Sequence, residues 1–545
     1  MRILKPVFYS ALAATTLVGC SSVSKIPVPN GSNSVVNITA KKAALTDYEK
    51  NNWQHLDLAT DSIPGMSVLK AHEFLKGKKA TEVIVGVVDS GTDLNHEDLK
   101  EVAWVNTKEI AGNGIDDDKN GYVDDIHGWN FLGDSYKEHL EYERILMNPE
   151  IADAETVAEV KSYQEKKVKE AQDNKARYGQ MLDGSKKSHE ALSKHFGKED
   201  YTVAEVEAIQ TEDEDLKKSI SRAKYMYQFV PSLPEVIKEL SSLVDKADKT
   251  INGDNLKTDY RTVVGDNAYD INDKPGYGNG NTGHSVKDEL HGSHVAGIIG
   301  ATRNNNTGMD GVADVKLMAV RSVSDGDEYD KDVALGIRYA VDNGAKVINT
   351  SFGKGFSPNK EWVYDAIKYA AKKDVLIVNA AGNDGKNIDV EKTFPNDAPD
   401  LVNEIADNVL TLGAMSSNYN EKMPASFSNY GKLNVDVFAP GVNVYSTTPE
   451  NEYRPLSGTS MAAPSAAGVA ALVRSYYPEL SASQVKHILM NSGTKIDLQV
   501  MKPGSRSAAN PNGEMVPFSD LSVSGRVVNA YNAVRMADRM VNGRK

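Results

Sequence analysis

Three residues of this 545-residue chain have the types and settings that acyl-transfer chemistry requires. Asp89 closes the apolar run VIVGVV (83–88), His291 opens HGSHVAGIIGA (291–301), and Ser460 stands in SGTSMAAPSAAG (457–468). A serine hydroxyl is a weak nucleophile until a base takes its proton as it attacks, and an imidazole titrating near neutral pH suits that task. A carboxylate behind the imidazole fixes its tautomer and supports the imidazolium that forms. Each residue also has an ordinary explanation, since Ser and Thr cap helices and Asp ends strands in turns. His294 reads as structural. A zinc pair is set aside because zinc on a helix wants His at i and i+4 with an intervening Glu, whereas these histidines stand at i and i+3.

The chain order Asp89, His291, Ser460 is the order found in subtilisin, and other serine-hydrolase folds use other orders. VVDSGTDLNHEDL, HGSHVAGIIGA and GTSMAAPSAAG resemble the three signature segments of subtilisin-like serine peptidases, and the match runs from about Ile63 to Ala533 apart from one helical stretch. The resemblance implies a serine endopeptidase working through an acyl-enzyme, with no catalytic cofactor. Ser460 would be its nucleophile, His291 the general base and then acid, and Asp89 the orienting carboxylate. It also implies an oxyanion donor, Asn383 in VNAAGND (378–384), although Ala-Gly-Asn is in itself a common turn. INTSFGKG (348–355) resembles the family's substrate-aligning strand, so that Ser351, Phe352 and Gly353 would pair with an extended peptide through backbone hydrogen bonds; an ordinary sheet edge is the alternative. At a helix start, Ser460 would feel the positive end of the dipole. Pro464 would leave the carbonyl of Ser460 without its helical donor. An esterase of the α/β-hydrolase type would carry G-x-S-x-G, but Met461 and Ala462 follow Ser460.

Elements must hold these residues together. VIVGVV, KLMAV (316–320), KVIN (346–349), VLIVNA (375–380) and VLTLGA (409–414) are short, nearly continuous apolar runs, the pattern of strands buried on both faces of a parallel sheet. Between them, DVALGIRYAVDNG (332–344) and EWVYDAIKYAAKK (361–373) read as amphipathic helices, the first ending at a glycine. Alternating strands and helices predict an α/β domain, and with the resemblance a three-layer subtilisin-like fold with a mostly parallel central sheet. From about Asp134 the texture changes to Lys, Glu, Asp and Ala with helical spacing, Thr202 and Glu205 fit a capping box, and Pro231 and Pro234 break the pattern before EVIKELSSLV. An inserted helical region is expected there. It would shape the approach to the site.

One further stretch has metal character. In GNGIDDDKNGYVDDIHGWNF (112–131), Asp116, Asp118 and Asn120 occupy the alternate positions of a calcium loop and Gly121 the turn position. His127 replaces the bidentate Glu of an EF-hand, so Asp124 or Asp125 would have to close the shell. The candidate ligand set is Asp116, Asp118, Asn120 and Asp125, holding a structural calcium; an acidic, Gly-rich turn is the alternative.

The first residues, MRILKPVFYSALAATTLVGC, give two basic residues and then an apolar run, which reads as an export signal. Residues 17–20 (LVGC) resemble the lipobox of bacterial lipoproteins, which implies lipidation of Cys20 and anchoring in the bacterial envelope, at the outer membrane. Cys20 is the only cysteine, so no intramolecular disulfide forms. A net charge of −14 argues against nucleic acid as partner, and 40% hydrophobic with 25% charged residues is ordinary for a globular protein. The organisation read from these features is a signal peptide (1–20), a tether (21–50), the peptidase domain in two parts (51–133 and 256–540) and the helical insertion (134–255). Residues 53–75 would be the entry to the catalytic domain, covering its surface, and the stretch between Cys20 and Val83 lacks the pattern of a foldable pro-domain. Partners are protein or peptide substrates. The rival reading is an envelope-anchored peptide-binding protein on a blocked peptidase scaffold, although none of the four catalytic positions is lost.

Overall fold

A computed structural model describes residues 40–227, 232–284, 287, 289–507 and 510–543. Cys20, the signal segment, most of the tether and Pro231 lie outside the described residues. The strands are β1 (Ile84–Asp89), β2 (Gly128–Asn130), β3 (Lys316–Arg321), β4 (Val347–Thr350), β5 (Leu376–Ala380), β6 (Val409–Met415), β7 (Val437–Pro440), β8 (Val444–Thr448), β9 (Glu452–Leu456), β10 (Thr494–Lys495), β11 (Gln499–Met501), β12 (Met515–Pro517) and β13 (Arg526–Val527). Nine of them form one sheet in the order β10-β13-β7-β6-β5-β4-β1-β3-β2. Every pairing in it is parallel except β10 with β13. All five apolar runs singled out above are strands of this sheet.

Side chains alternate across the sheet because a strand has a period of two. Val85, Val87, Leu376 and Val378 face one apolar core, and Val88, Met318, Val320 and Ile377 face the other. Helices cover both. Before the sheet come α1 (Asp47–Asn52), α2 (Leu58–Asp61) and α3 (Val68–Leu75), and between β2 and β3 lie α4 (Glu141–Met147), α5 (Ala154–Phe196), α6 (Val203–Ala208), α7 (Glu214–Met226), α8 (Leu233–Asn252) and α9 (His291–Gly300). Then follow α10 (Asp330–Asp342), α11 (Lys360–Lys372), α12 (Thr459–Tyr476), α13 (Ala482–Ser492) and α14 (Ala530–Asn542). Residues of α10 and α11 join the second core, while α3, α9, α12, α13 and α14 join the first. The result is a three-layer α/β fold. Each Leu, Ile or Val fully buried in these cores contributes about 1.5–3 kcal/mol relative to exposure.

Helix α12 is buried on almost every side. That explains its composition: Ala and Gly let neighbouring backbones approach, and a Cβ on Gly468 would stand 2.5 Å from Val312 Cβ. Helices α4 to α8 occupy the region read as an insertion. The 43-residue α5 starts at Asp153, whose carboxylate accepts from Thr156 N, and Leu182, Leu192, Val206, Ile220 and Leu240 form a separate small core. The Thr202–Glu205 capping box is present.

Three local readings change. Pro234 does not stop the helix but sits in the first turn of α8, where the backbone N–H has no intrahelical partner to lose. Helix α1 begins within the supposed tether because Thr46 and Glu49 form a capping box. Residues 53–75 are more than a surface cover: Trp53, Ile63, Met66 and Leu75 are buried in the main core.

Candidate active site

The parallel sheet fixes where chemistry can occur, because side chains at the carboxyl ends of its strands converge with the helices that follow them. Asp89 is the last residue of β1 and only 1% exposed. Its Oδ1 accepts from His291 Nδ1 at 2.6 Å and from Ser90 N at 2.8 Å, although Asp89 and His291 stand 202 residues apart in sequence. His291 is the first residue of α9, and the helix start is tied to the loop after β1 by Gly292 N donating to Ser90 Oγ (2.9 Å). Residue 292 must be small, since a Cβ there would lie 2.5 Å from Ser90 O. His294 is fully buried against Arg454 O (2.9 Å), and burial lowers its pKa to about 3, so it is a neutral structural group.

The His291 side chain keeps 37% of its surface open. Surrounding protein disfavours its charged form, but the carboxylate of Asp89 outweighs that and holds the imidazole pKa above its usual value. Because Nδ1 is engaged, Nε2 is the nitrogen left for proton transfer.

Ser460 is the second residue of α12. Its Oγ donates to Ser351 O (3.1 Å), and among the described residues no hydrogen bond joins it to His291. In return Ser351 Oγ donates to Ser460 O (2.9 Å), and Asn349 Nδ2 donates to Ser351 Oγ (2.9 Å). This pairing follows from Pro464, which lacks the N–H that would have served the Ser460 carbonyl. The serine hydroxyl of residue 351 fills that gap, a role the sequence reading missed.

Asn383 caps the same helix from outside. Its Oδ1 accepts from Thr459 N (2.8 Å) and Thr459 Oγ1 (3.0 Å), which leaves Nδ2 as the free donor. A Cβ built on Gly458 would stand 3.5 Å from Ser460 N, 3.6 Å from Asn383 Nδ2 and 3.7 Å from Ser460 Cβ, so these groups flank one pocket of space beside the serine. The loop carrying Asn383 rests on buried Asn429, whose Nδ2 donates to Ala381 O (2.8 Å) and whose Oδ1 accepts from Asp384 N and Lys386 N. Nothing local marks Asn429 in the sequence; its partners lie more than forty positions away.

Ser351, Phe352 and Gly353 follow the end of β4. That strand is paired on both sides, with β1 and with β5, as far as Thr350, and residues 351–353 lie beyond those pairings. Ser351 is buried and Gly353 exposed, and immediately afterwards Lys354 and Phe394 exchange backbone hydrogen bonds (2.8 and 2.9 Å). Behind Asp89, Glu289 Oε1 accepts from Gly91 N (2.9 Å) and from Arg321 Nε (2.7 Å), bracing the loop after β1.

The acidic loop is arranged differently from its sequence reading. Asp116 and Asp118 come together with Glu109, one carboxylate oxygen from each lying within 4.8 Å of the others. Asp125 does not close this group. It is fully buried and bonded to Asn106 Nδ2 (2.8 Å), Asn120 Nδ2 (2.9 Å) and Tyr339 OH (2.6 Å), and burial pushes its pKa up. Asp124 is occupied by the backbone N–H groups of Gly112, Asn113 and Gly114. Asn120 turns its Oδ1 to Tyr122 N (2.8 Å). Glu109 escaped the sequence reading because it precedes the loop whose spacing suggested calcium.

Comparison with known proteins supplies a frame for this geometry. Residues 80–513 match the family described as "Subtilase family". Subtilisin DY of Bacillus licheniformis is 41% identical over 210 residues, 38% of this chain and 71% of that protein. Thermitase of Thermoactinomyces vulgaris is 41% identical over 208 residues, 38% of this chain and 68% of that protein. The thermophilic serine proteinase of Bacillus sp. (strain AK1) is 42% identical over 187 residues, 34% of this chain and 42% of that protein.

Proposed function

The chain belongs to the subtilase family and is a subtilisin-like serine endopeptidase, and we propose that Ser460, His291, Asp89 and Asn383 carry its reaction. The observation that supports this most is the 2.6 Å contact between Asp89 Oδ1 and His291 Nδ1, which leaves Nε2 as the base. On substrate binding, rotation about χ1 moves the Ser460 hydroxyl from Ser351 O to His291 Nε2. This exchanges one hydrogen bond, worth about 1 kcal/mol net, for another. Ser460 Oγ attacks the scissile carbonyl as His291 takes its proton, and the resulting oxyanion is met by Ser460 N and Asn383 Nδ2 at the positive end of α12. His291 then protonates the leaving amine, giving an acyl-enzyme. Water, deprotonated by the same Nε2, hydrolyses the ester and restores Ser460. Ser351, Phe352 and Gly353 align the peptide in extended form through their backbone groups.

Two finer readings accompany this one. Glu109, Asp116 and Asp118 offer hard oxygen donors suited to calcium, which when bound would supply structural rigidity to the 106–125 loop and no catalytic step. The LVGC stretch supports lipid attachment at Cys20 and an envelope location; among the described residues no helix is long and apolar enough to cross a membrane. The activity test is hydrolysis of an unfolded protein substrate: wild type cleaves it, whereas Ser460→Ala, at an unchanged melting temperature, does not. Cleavage by the folded variant would overturn the assignment.

A further inference from the structure

The residue that follows segment 351–353 has surroundings that exceed what a sheet connection needs. Lys354 is 6% exposed. Its ammonium meets Glu141 Oε2 (2.6 Å), Asp330 Oδ1 (2.8 Å) and Glu328 O (2.8 Å), so all three of its protons have acceptors. Glu141 is the first residue of α4, the first helix of the insertion, and its Oε2 also accepts from Arg144 Nη2 (2.5 Å). Arg144 donates to Asp327 O (2.7 Å) and Glu328 O (2.9 Å) and lies over the ring of Tyr329 at 3.9 Å. Next to this cluster, Tyr142 of α4 meets Tyr163 of α5, and Tyr163 meets Phe356, with ring centroids 5.1 and 5.6 Å apart.

Removing one partner from a buried ion cluster strands an uncompensated charge, so such a cluster has one acceptable arrangement even where it adds little net stability. Residues 351–353 are therefore fixed at both ends. At one end Ser351 exchanges hydrogen bonds with Ser460; at the other Lys354 is held by an insertion helix and by the backbone of Phe394.

From this arrangement we infer that Lys354 is a positioning residue for extended peptide substrates, and that Glu141 and Arg144 make the helical insertion part of the substrate-aligning apparatus. The inference rests on the reading of Ser351, Phe352 and Gly353 as the peptide-aligning segment. The insertion acts through segment 351–353, so it changes how long substrates are held and leaves the serine chemistry as it is.

The test uses the full chain after Cys20, with Glu141→Gln and Lys354→Met; in the latter Glu141 keeps Arg144, and Asp330 keeps its hydrogen bonds from Ser357 Oγ and Asn359 N, so no buried carboxylate is left without a partner. Two substrates are compared, p-nitrophenyl acetate, which needs no aligned peptide, and a tetrapeptide p-nitroanilide. Glu141→Gln should raise KM for the tetrapeptide about tenfold, while its kcat, the ester rate and fluorophosphonate labelling stay within about twofold. Lys354→Met should raise the tetrapeptide KM by a similar factor, because the two residues hold one contact. Tetrapeptide KM unchanged in either folded variant, or ester and peptide hydrolysis falling together, would overturn the inference. The underlying readings fail separately: a wild type with equal KM for one-residue and four-residue anilides contradicts the aligning segment, and one that hydrolyses neither substrate contradicts the serine chemistry.

Discussion

Replacing Asn383 by Asp separates the two ends of that side chain, which the geometry assigns to different tasks. Oδ1 accepts two hydrogen bonds from Thr459 at the start of α12, and Nδ2 faces the space beside Ser460. Asn383→Ala removes both. The lost cap costs about 1 kcal/mol of stability, the usual value for removing a side chain that caps a helix start. The lost donor raises the transition state by about 2.7–4 kcal/mol, a magnitude measured by mutagenesis in subtilisin, so kcat falls roughly 10²–10³-fold. Asn383→Asp keeps the oxygen that caps the helix, where negative charge is favoured by the dipole, and substitutes an anion for the donor. It should therefore melt close to wild type, whereas the lost cap of Asn383→Ala should lower Tm by no more than about 2–4 °C, the shift that 1 kcal/mol gives in a domain of about 150–250 residues, smaller than this one. Its kcat should be at least as low as that of Asn383→Ala, because a carboxylate repels the developing oxyanion instead of binding it. The assay is steady-state hydrolysis of a peptide anilide with a thermal melt on each variant, and KM should change little because the donor acts only in the transition state. An Asn383→Asp enzyme within tenfold of wild-type kcat would refute the placement of Nδ2.

Other perturbations follow from the same contacts. Asp89→Asn removes the charge that raises the His291 pKa and leaves the opposing effect of crowding, so the acid limb of kcat/KM, which requires neutral His291, should move to lower pH than in wild type. Its height should drop about 10⁴-fold, the loss known for this change in another serine-peptidase fold; an acid limb moving upward would contradict the argument. If Glu109, Asp116 and Asp118 hold calcium, saturation at a hundred times Kd adds about 2.7 kcal/mol, and a chelator should lower the melting temperature of wild type but not of Glu109→Gln. Identical melts with and without chelator would count against the site.

The sheet was legible, and the residues proposed to react could be picked out as candidates, because both leave local marks. A strand buried on two faces reads as an unbroken β-branched run, as in VIVGVV, and a residue at its carboxyl end is a candidate by position. The Thr202–Glu205 box and the glycine after α10 belong to helix ends that local rules describe well. What escaped was non-local. Asn429, the brace behind Asn383, and Glu141, the counter-charge of Lys354, sit in unremarkable sequence, and the contacts that give them these roles reach residues 43 and 213 positions away. The calcium reading was met in part: alternate-position spacing located Asp116 and Asp118, but nothing in spacing reveals that Asp125 is buried under Tyr339 while Glu109 stands beside the other two. The hairpin of β8 and β9 was missed as well, since β9 is largely open to solvent and has no apolar face to announce it.

The most direct measurement is fluorophosphonate labelling of the folded chain after Cys20, with the modified peptide located by mass spectrometry, in wild type and Ser460→Ala. A hydroxyl activated by His291 reacts; an ordinary serine does not. The account predicts one label per molecule, on Ser460, abolished in Ser460→Ala and by prior protonation of His291 at low pH. Labelling elsewhere, or no labelling of a folded wild type, would contradict it.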